Sequence, residues 1–271
     1  MPWVSGDGGV RLALVDEGDG QPVVLLHGFP DSSQGWRHQT PALAAAGFRV
    51  LAPDLRGFGE SDKPEDVEAY AIRHSVADVV AMLNDLGIER THVVGHDWGA
   101  AVAWLLAAYA PQRVDRLVVL SVGHPSAFGP FSLEQRRRFW YQLLFQFDVA
   151  EELLMQNDWE LFRQFLDGEP DCGRFIDDLA RPGALTAGLN WYRANSNPRN
   201  QLGPRREIPS VAAPTLGLWS DGDRYLIEEP MLESARHVTG PWRYERIDGA
   251  GHWLQLEVPD RVNKLLLDFL A

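Results

Sequence analysis

Apolar residues along the chain follow two alternating patterns. Short runs that are apolar on both faces predict buried strands, and longer segments with an apolar residue every three or four positions predict helices. The predicted strands of the first half are residues 10–15, 22–26, 48–53, 91–94 and 114–122. The predicted helices between them are residues 36–46, 75–83 and 100–110. Strands that alternate with helices of about a dozen residues form parallel sheets, so this half predicts an α/β domain.

The pattern changes after His124. No strand pattern follows until residue 208, and the amphipathic helical candidates there, rich in Trp, Phe and Arg, are residues 133–147, 149–156, 159–165 and 185–194. Strands at 214–219 and 243–247 and helices at 229–238 and 259–270 then resume the α/β pattern. We therefore predict a core domain of residues 1–124 and 208–271 and a helical cap (lid) domain of residues 125–207.

Composition narrows the classes of partner. The net charge of −13 argues against nucleic acid or an anionic membrane as a partner. The single Cys172, expected in a loop, excludes an intrachain disulfide. The N-terminus lacks the basic and apolar regions of a signal peptide, and no apolar run reaches the ~18 residues of a membrane span. We expect a soluble, cytoplasmic protein, and composition leaves its oligomeric state open.

The residues between the predicted strand 91–94 and the predicted helix 100–110 carry the strongest candidate chemistry. They read Gly95-His96-Asp97-Trp98-Gly99. Two glycines at this spacing allow a tight strand-to-helix turn that pushes the middle side chain clear of the sheet. This is the geometry of a nucleophile elbow, which usually carries Ser. The sequence therefore predicts Asp97 as a nucleophile at the carboxyl ends of the strands, where ligands of such sheets bind.

Two later strand ends supply the partners that an elbow nucleophile needs. Asp221 and Asp223 follow the next-to-last predicted strand, and His252 follows the last. The chain order of nucleophile, acid and His is the order of α/β hydrolases. We predict a triad of Asp97, Asp223 and His252, with Asp221 as the alternative acid.

An Asp in the elbow implies different chemistry from a Ser. It is ionised at pH 7 and needs no base, so it can attack an sp³ carbon and form an alkyl–enzyme ester. His252, oriented by Asp223, would then deprotonate a water molecule that attacks the ester carbonyl. The backbone N–H groups of Phe29 and Trp98 are the predicted oxyanion donors. The triad alone does not identify the group that leaves the carbon when Asp97 attacks it.

The sequence resembles the soluble α/β-hydrolase-fold epoxide hydrolases over nearly its whole length. The matching motifs are His27-Gly28-Phe29-Pro30, Asp54-Leu55-Arg56-Gly57-Phe58-Gly59-Glu60-Ser61, Gly95-His96-Asp97-Trp98-Gly99 and Gly251-His252-Trp253. The resemblance implies the α/β-hydrolase fold, with a mostly parallel central sheet flanked by helices and a helical cap inserted after the sixth strand. It also implies two cap tyrosines that bind and protonate the epoxide oxygen. The matching segments place these roles on Tyr141 and Tyr192.

Epoxide chemistry agrees with such a tyrosine pair. The opened epoxide leaves an alkoxide tethered to the attacked carbon, and a hydroxyl pair can protonate that oxygen within an apolar pocket. The predicted pocket residues are Phe29, Trp98, Phe128, Phe131, Trp140, Gln142, Phe145, Trp191 and Trp253. We therefore predict hydrolysis of a neutral, hydrophobic epoxide by water to a vicinal diol. No metal ion or organic cofactor is implied, because the triad and the tyrosines supply every reacting group.

Other functions on the same scaffold make different demands. Haloalkane dehalogenases share the Asp elbow and bind halide with the following Trp and a second donor, often an Asn where this chain has Phe29. Trp140 or Trp191 could supply a second indole N–H. Fluoroacetate dehalogenases need two arginines where this chain has Trp98 and Ala101, and esterases need a Ser elbow. A non-catalytic ligand receptor on this fold would be favoured by an incomplete triad.

Overall fold

The centre of the fold is a single sheet in the computed structural model, which describes residues 2–129, 131–202 and 207–271. Across these residues, eight strands form it: β1 (Trp3–Ser5), β2 (Arg11–Glu17), β3 (Gln21–Leu26), β4 (Phe48–Pro53), β5 (Thr91–His96), β6 (Val114–Leu120), β7 (Thr215–Ser220) and β8 (Trp242–Ile247). Their spatial order is β1-β2-β4-β3-β5-β6-β7-β8. β2 runs antiparallel to β1 and β4, and the other pairs are parallel. The predicted mostly parallel sheet is confirmed.

The register of the central strands brings their carboxyl ends to one edge. Leu26 at the end of β3 pairs with Gly95 in β5, and His96 pairs with Leu120 at the end of β6. The loops that follow β3, β5, β6 and β7 therefore meet at this edge. Sequence patterning does not predict β1, because a three-residue edge strand with two exposed side chains has no apolar run.

Helices cover both faces of the sheet. In the described parts of the chain they are α1 (Gln39–Ala45), α2 (Ile72–Asp85), α3 (Trp98–Tyr109), α4 (Leu133–Arg138), α5 (Trp140–Leu144), α6 (Ala150–Leu166), α7 (Cys172–Leu179), α8 (Ala184–Asn195), α9 (Glu229–Glu233), α10 (Leu254–Glu257) and α11 (Pro259–Leu270). Met82 of α2 and Leu106 of α3 pack in the cluster on one face, and Leu43 of α1 and Leu266 of α11 pack in the cluster on the other. None of these helices is long and apolar enough to cross a lipid bilayer.

The described parts of the connection from β6 to β7 carry α4 to α8, joined by loops, and an isolated β-bridge at Val211 precedes β7. The predicted helix 133–147 is two short helices, α4 and α5. The predicted helices 149–156 and 159–165 correspond to the two parts of α6, which is kinked at residues 156–159. Cys172 begins α7, so its expected loop position is wrong. The apolar face of α7 explains this: Phe175, Ile176 and Leu179 are buried. Residues 130 and 203–206 of the predicted cap lie outside the described residues.

Ion pairs and hydrogen bonds attach this helical connection to the rest of the chain. Arg174 of α7 pairs with Asp31, which follows β3, at 2.8 Å. Arg138 of α4 donates to the backbone carbonyls of Asp223 and Leu226 at 2.7 and 2.8 Å. Both attachments end on loops at the carboxyl edge of the sheet, so the helices are held over that edge.

Candidate active site

The Gly-x-Asp-x-Gly stretch forms a tight turn between β5 and α3. Asp97 has φ of 52° and ψ of −122°, a strained conformation for a residue with a side chain. Both glycines are required because a side chain at either position would collide with the backbone. A Cβ on Gly95 would lie 2.4 Å from the carbonyl oxygen of Gly99, and one on Gly99 would lie 2.1 Å from that of Leu26. The turn places the carboxylate at the N-terminus of α3, where the helix dipole favours negative charge.

Both predicted oxyanion donors lie against this carboxylate. The backbone N–H of Phe29, in the loop after β3, donates to Asp97 Oδ1 at 2.9 Å. The backbone N–H of Trp98 is a second hydrogen-bond donor to the Asp97 carboxylate. The two donors come from neighbouring strand ends, as the elbow geometry requires, so one carboxylate oxygen of Asp97 is already solvated by the backbone.

His252 and Asp223 form a tight pair beside Asp97. His252 Nδ1 lies 2.9 Å from Asp223 Oδ2, and His252 Nε2 lies 3.7 Å from Asp97 Oδ2. Asp223 Oδ1 accepts the backbone N–H groups of Tyr225 and Leu226 at 2.8 and 2.9 Å, which orients the carboxylate.

Asp221, the alternative acid, points elsewhere. Its Oδ1 accepts the N–H of Gly249 at 2.8 Å, and its Oδ2 lies 3.6 Å from Arg246 at the surface. The geometry therefore pairs His252 with Asp223 and leaves Asp221 as a turn residue.

The charges of these groups depend on one another. Burial lowers the pKa of His252, but the charges and hydrogen bonds of Asp223 and Asp97 outweigh burial and raise it to about 10. Burial raises the pKa of Asp97, but the His252 imidazolium and the backbone donors outweigh burial and hold it below its usual value. At neutral pH Asp97 is therefore a carboxylate and His252 an imidazolium.

Side chains from β5 and from the end of β6 hold the loop that carries His252. The carbonyl oxygen of His252 accepts hydrogen bonds from His96 Nε2 at 2.9 Å and from Ser121 Oγ at 3.1 Å. Burial lowers the pKa of His96 to about 3, so this ring is a neutral donor. Ser121, which follows β6, has a φ of 68°. Sequence patterning missed Ser121, because an isolated Ser after a strand carries no signal of its own.

Tyr141 of α5 and Tyr192 of α8 meet above the elbow. Their rings lie 5.7 Å apart, and the Tyr192 ring contacts Phe29 at 5.3 Å and Trp98 at 5.2 Å. Burial raises the pKa of both tyrosines, and the nearby Asp97 charge raises it further. Both hydroxyls are therefore neutral hydrogen-bond donors at any working pH.

A cavity of about 260 Å³ opens beside these tyrosines, and we call it the substrate cavity. The predicted residues that line it are Asp97, Trp98, Phe128, Phe131, Tyr141, Gln142 and Tyr192. Val122, Phe139 and Leu226 also line it. Sequence patterning missed Val122 and Phe139 because an apolar residue next to a strand or helix end is most often core, and Leu226 because it lies in a loop without a periodic pattern. A second, small cavity of about 10 Å³ touches Asp97, and Phe29, Trp253, Tyr225 and His252 are among its walls.

Three predicted pocket residues lie elsewhere. Trp140 is 46% exposed and lines a surface cavity. Phe145 is fully buried behind the rings of Tyr141 and Tyr192, and Trp191 is fully buried, with its indole N–H donating to the Arg56 carbonyl at 3.0 Å. For Trp140 and Trp191 the reason is helix orientation, because each directly precedes a site tyrosine on its helix and points about 100° away from it. Phe145 lies four positions after Tyr141, on the same side, and packs behind the tyrosine rings.

The fold and this site define the class of the protein. The family model for the alpha/beta hydrolase fold matches residues 21–259. Epoxide hydrolase A from Mycobacterium tuberculosis is 38% identical to this chain. The alignment is 306 residues long and covers 97% of this chain and 95% of the relative.

Solved structures agree with that relative. The crystal structure of epoxide hydrolase A from Mycobacterium thermoresistibile has a TM-score of 0.83 at 34% identity, over 99% of this chain and 97% of that one. The structure of an epoxide hydrolase from metagenomes of hot environments has a TM-score of 0.90 at 29% identity, over 100% of this chain and 98% of that one. The chain belongs to the epoxide hydrolases of the α/β-hydrolase fold, a family of hydrolases that act on ether bonds.

Proposed function

We propose that this protein hydrolyses a neutral, hydrophobic epoxide to a vicinal diol through an alkyl ester on Asp97. The observation that carries the proposal is that Asp97, Tyr141 and Tyr192 line one cavity, whose other walls are mostly aromatic and aliphatic. A nucleophile and two acids that face the same space can act on opposite ends of one C–O bond.

The first step forms the ester. A carboxylate oxygen of Asp97 attacks an epoxide carbon, and the bond from that carbon to the epoxide oxygen breaks. A tyrosine hydroxyl donates its proton to the oxygen as negative charge develops there. The aromatic walls bind the apolar part of the substrate and exclude a substrate that carries charge.

The second step hydrolyses the ester. His252 first gives its own proton to solvent and takes one back at the end of the cycle. The neutral ring, oriented by Asp223, then takes a proton from water, and the resulting hydroxide adds to the ester carbonyl of Asp97. The oxyanion is held by the N–H groups of Phe29 and Trp98. Collapse breaks the bond between the acyl carbon and the alkyl oxygen and releases the diol. One proton of the water goes to that departing oxygen, and the other restores the tyrosine.

Residues 125–207 would act in this scheme as a cap domain on a core of residues 1–124 and 208–271. Both tyrosines lie on helices of this connection, and the nucleophile, acid and base lie outside it. The cap would therefore supply the acid and the apolar walls, and the core would supply the nucleophile and the water chemistry.

Haloalkane dehalogenation is the alternative that uses the same nucleophile, with Trp98 as a halide donor. It needs a second donor, and the contacts of the candidates argue against them. The indole N–H of Trp191 is committed to a backbone carbonyl, and Trp140 lies at the surface. Phe29 has no polar side-chain atom. A non-catalytic receptor is disfavoured because the geometry of Asp97, His252 and Asp223 is complete.

Parallel assays with styrene oxide and 1-bromobutane test the proposal. We expect diol from styrene oxide and no bromide above the uncatalysed background. Asp97→Asn, which keeps the shape of the side chain, is the control and should form no diol. Bromide release without diol formation would overturn the proposal in favour of dehalogenation, and the absence of both products would favour the receptor.

A further inference from the structure

A cavity of about 400 Å³, distinct from the substrate cavity, reaches His252, and we call it the rear cavity. Among the described residues it shares no lining residue with the substrate cavity. Its walls include His252 and Trp253 together with the exposed Asp167, Arg224 and Gly249. Since these last three are exposed, the rear cavity opens to solvent.

The small cavity at Asp97 lies between the two larger ones. It shares Asp97, Tyr141 and Tyr192 with the substrate cavity. It shares Tyr225, His252 and Trp253 with the rear cavity. Its volume of about 10 Å³ is close to the minimum that holds one water molecule, and carboxylate, imidazole and hydroxyl groups are among its walls.

The two large cavities differ in polarity. The substrate cavity is lined mainly by aromatic and aliphatic side chains. The rear cavity is lined by Glu169 and Glu257 and by the glycine-rich loop 249–251, whose Gly251 N–H donates to Glu257 at 2.6 Å. Water is retained where it finds hydrogen-bond partners, so the rear cavity suits water and the substrate cavity suits an apolar epoxide.

The difference in polarity between the two cavities matters once the ester on Asp97 has formed. An alkyl group attached to Asp97 extends into the substrate cavity, since the carboxylate faces that space. The group then obstructs the approach of water from the same side. We propose that the water that hydrolyses the ester enters through the rear cavity and reacts from the small cavity beside His252. This inference rests on the proposed ester mechanism.

Three rings separate the rear cavity from the small cavity. The centroid of the His252 ring lies 5.0 Å from that of Tyr225 and 4.9 Å from that of Trp253, and Tyr225 and Trp253 lie 5.7 Å apart. The Tyr225 hydroxyl donates to the Phe165 carbonyl at 2.8 Å, which anchors one side. The buried indole N–H of Trp253 has no hydrogen-bond partner among the described residues. The rings are in contact, so a water molecule passes only when they move apart, and the Trp253 N–H is then a donor available to it.

Filling the rear cavity tests the route. Glu169 lines it, is half-buried, and has no part in the proposed chemistry. Glu169→Trp adds an indole to the wall, and we expect it to slow ester hydrolysis about tenfold while the alkylation rate changes less than about twofold. Rapid-quench mass spectrometry of the full-length protein with styrene oxide measures both rates. Glu169→Phe, a smaller filling, replaces this variant if it does not fold.

Two matched controls separate blocked access of water from the effects of a lost charge and of an added indole. Glu169→Gln removes the charge and keeps the size of the side chain, so it should hydrolyse the ester at the wild-type rate. Gln164→Trp adds an indole to a neighbouring surface cavity of about 370 Å³ whose described walls do not include His252. It should also behave as wild type.

The outcomes distinguish this inference from the proposed function. Slower hydrolysis in Glu169→Trp than in Glu169→Gln, with unchanged alkylation and the same pH midpoint for hydrolysis in both variants, supports the rear route. Unchanged hydrolysis, an equal loss in both steps, or a midpoint that differs from that of Glu169→Gln, which would mean a perturbed His252, would overturn it. No ester in the wild-type protein would instead overturn the proposed function.

Discussion

Asp97 Oδ2 and His252 Nε2 face each other across 3.7 Å, and each holds the other in its charged form. An imidazolium cannot act as a base, so the resting site is set for alkylation and not for hydrolysis. An ester on Asp97 is neutral and removes one of the two charges that keep the proton on His252. The product of the first step would therefore lower the pKa of His252 and prepare it for the second.

Asp97→Asn mimics this loss of charge and should lower the pKa of His252 from its value of about 10 in the wild-type protein. We expect a fall of about one unit or more, because burial then opposes the Asp223 charge alone. NMR titration of the His252 ring measures the pKa. Asp115→Asn, the same change of side chain at the opposite end of β6 from the site, is the control. An unchanged His252 pKa would contradict the coupling.

The raised pKa of His252 also makes the stability of the fold depend on pH. The folded-state pKa of His252 lies above its ordinary value of 6.5, so the proton on His252 stabilises the fold. This contribution is complete below pH 6.5 and disappears as the pH rises through about 10. In Asp97→Asn the loss should come at lower pH in urea titrations.

Asp223 and Asp221 form a matched pair of acids two residues apart. Asp223→Asn should slow ester hydrolysis about 10²- to 10⁴-fold, because the amide cannot stabilise the imidazolium or hold its tautomer. Asp221→Asn should change it less than about twofold, since the contacts of this carboxylate among the described residues are with Gly249 and Arg246. Single-turnover kinetics resolve the step. Equal effects of the two variants would contradict the assignment.

Tyr141→Phe and Tyr192→Phe should each slow alkylation about 10- to 100-fold, and the double variant should approach the full general-acid contribution of about 10²- to 10⁴-fold. The ring packing is retained, so the loss reflects the hydroxyl. Hydrolysis of a preformed ester should change far less. Tyr109→Phe at an exposed position is the control. A double variant that alkylates at the wild-type rate would remove the tyrosines from the mechanism.

Much of the site could be predicted because its residues follow strands. Phe29, Asp97 and Asp223 each follow an apolar run, and His252 follows β8, which alternates apolar and charged residues. Parallel strands deliver their ends to one edge whatever the details of packing. The order of the three residues along the chain then indicates which is the nucleophile, which is the acid and which is the base.

The helical connection was harder to predict, for a physical reason. An amphipathic helix reveals which face is apolar, and not whether that face covers a cavity or a core. Phe145 and Trp191 are as aromatic as Phe128 and Phe131, yet they are fully buried behind the site. Tyr225, in a loop rich in charge and glycine, gave no periodic signal, and only the packing of its ring on His252 reveals it.

The most direct test of the account is the mass of the protein after it meets an epoxide without a functional base. His252→Gln should still alkylate Asp97 but hydrolyse the ester slowly, so mass spectrometry should find one added substrate mass on the peptide that contains Asp97. The Asp97→Asn/His252→Gln variant, treated identically, should show no added mass. Diol formation by His252→Gln with no adduct, or an adduct on another residue, would contradict the account.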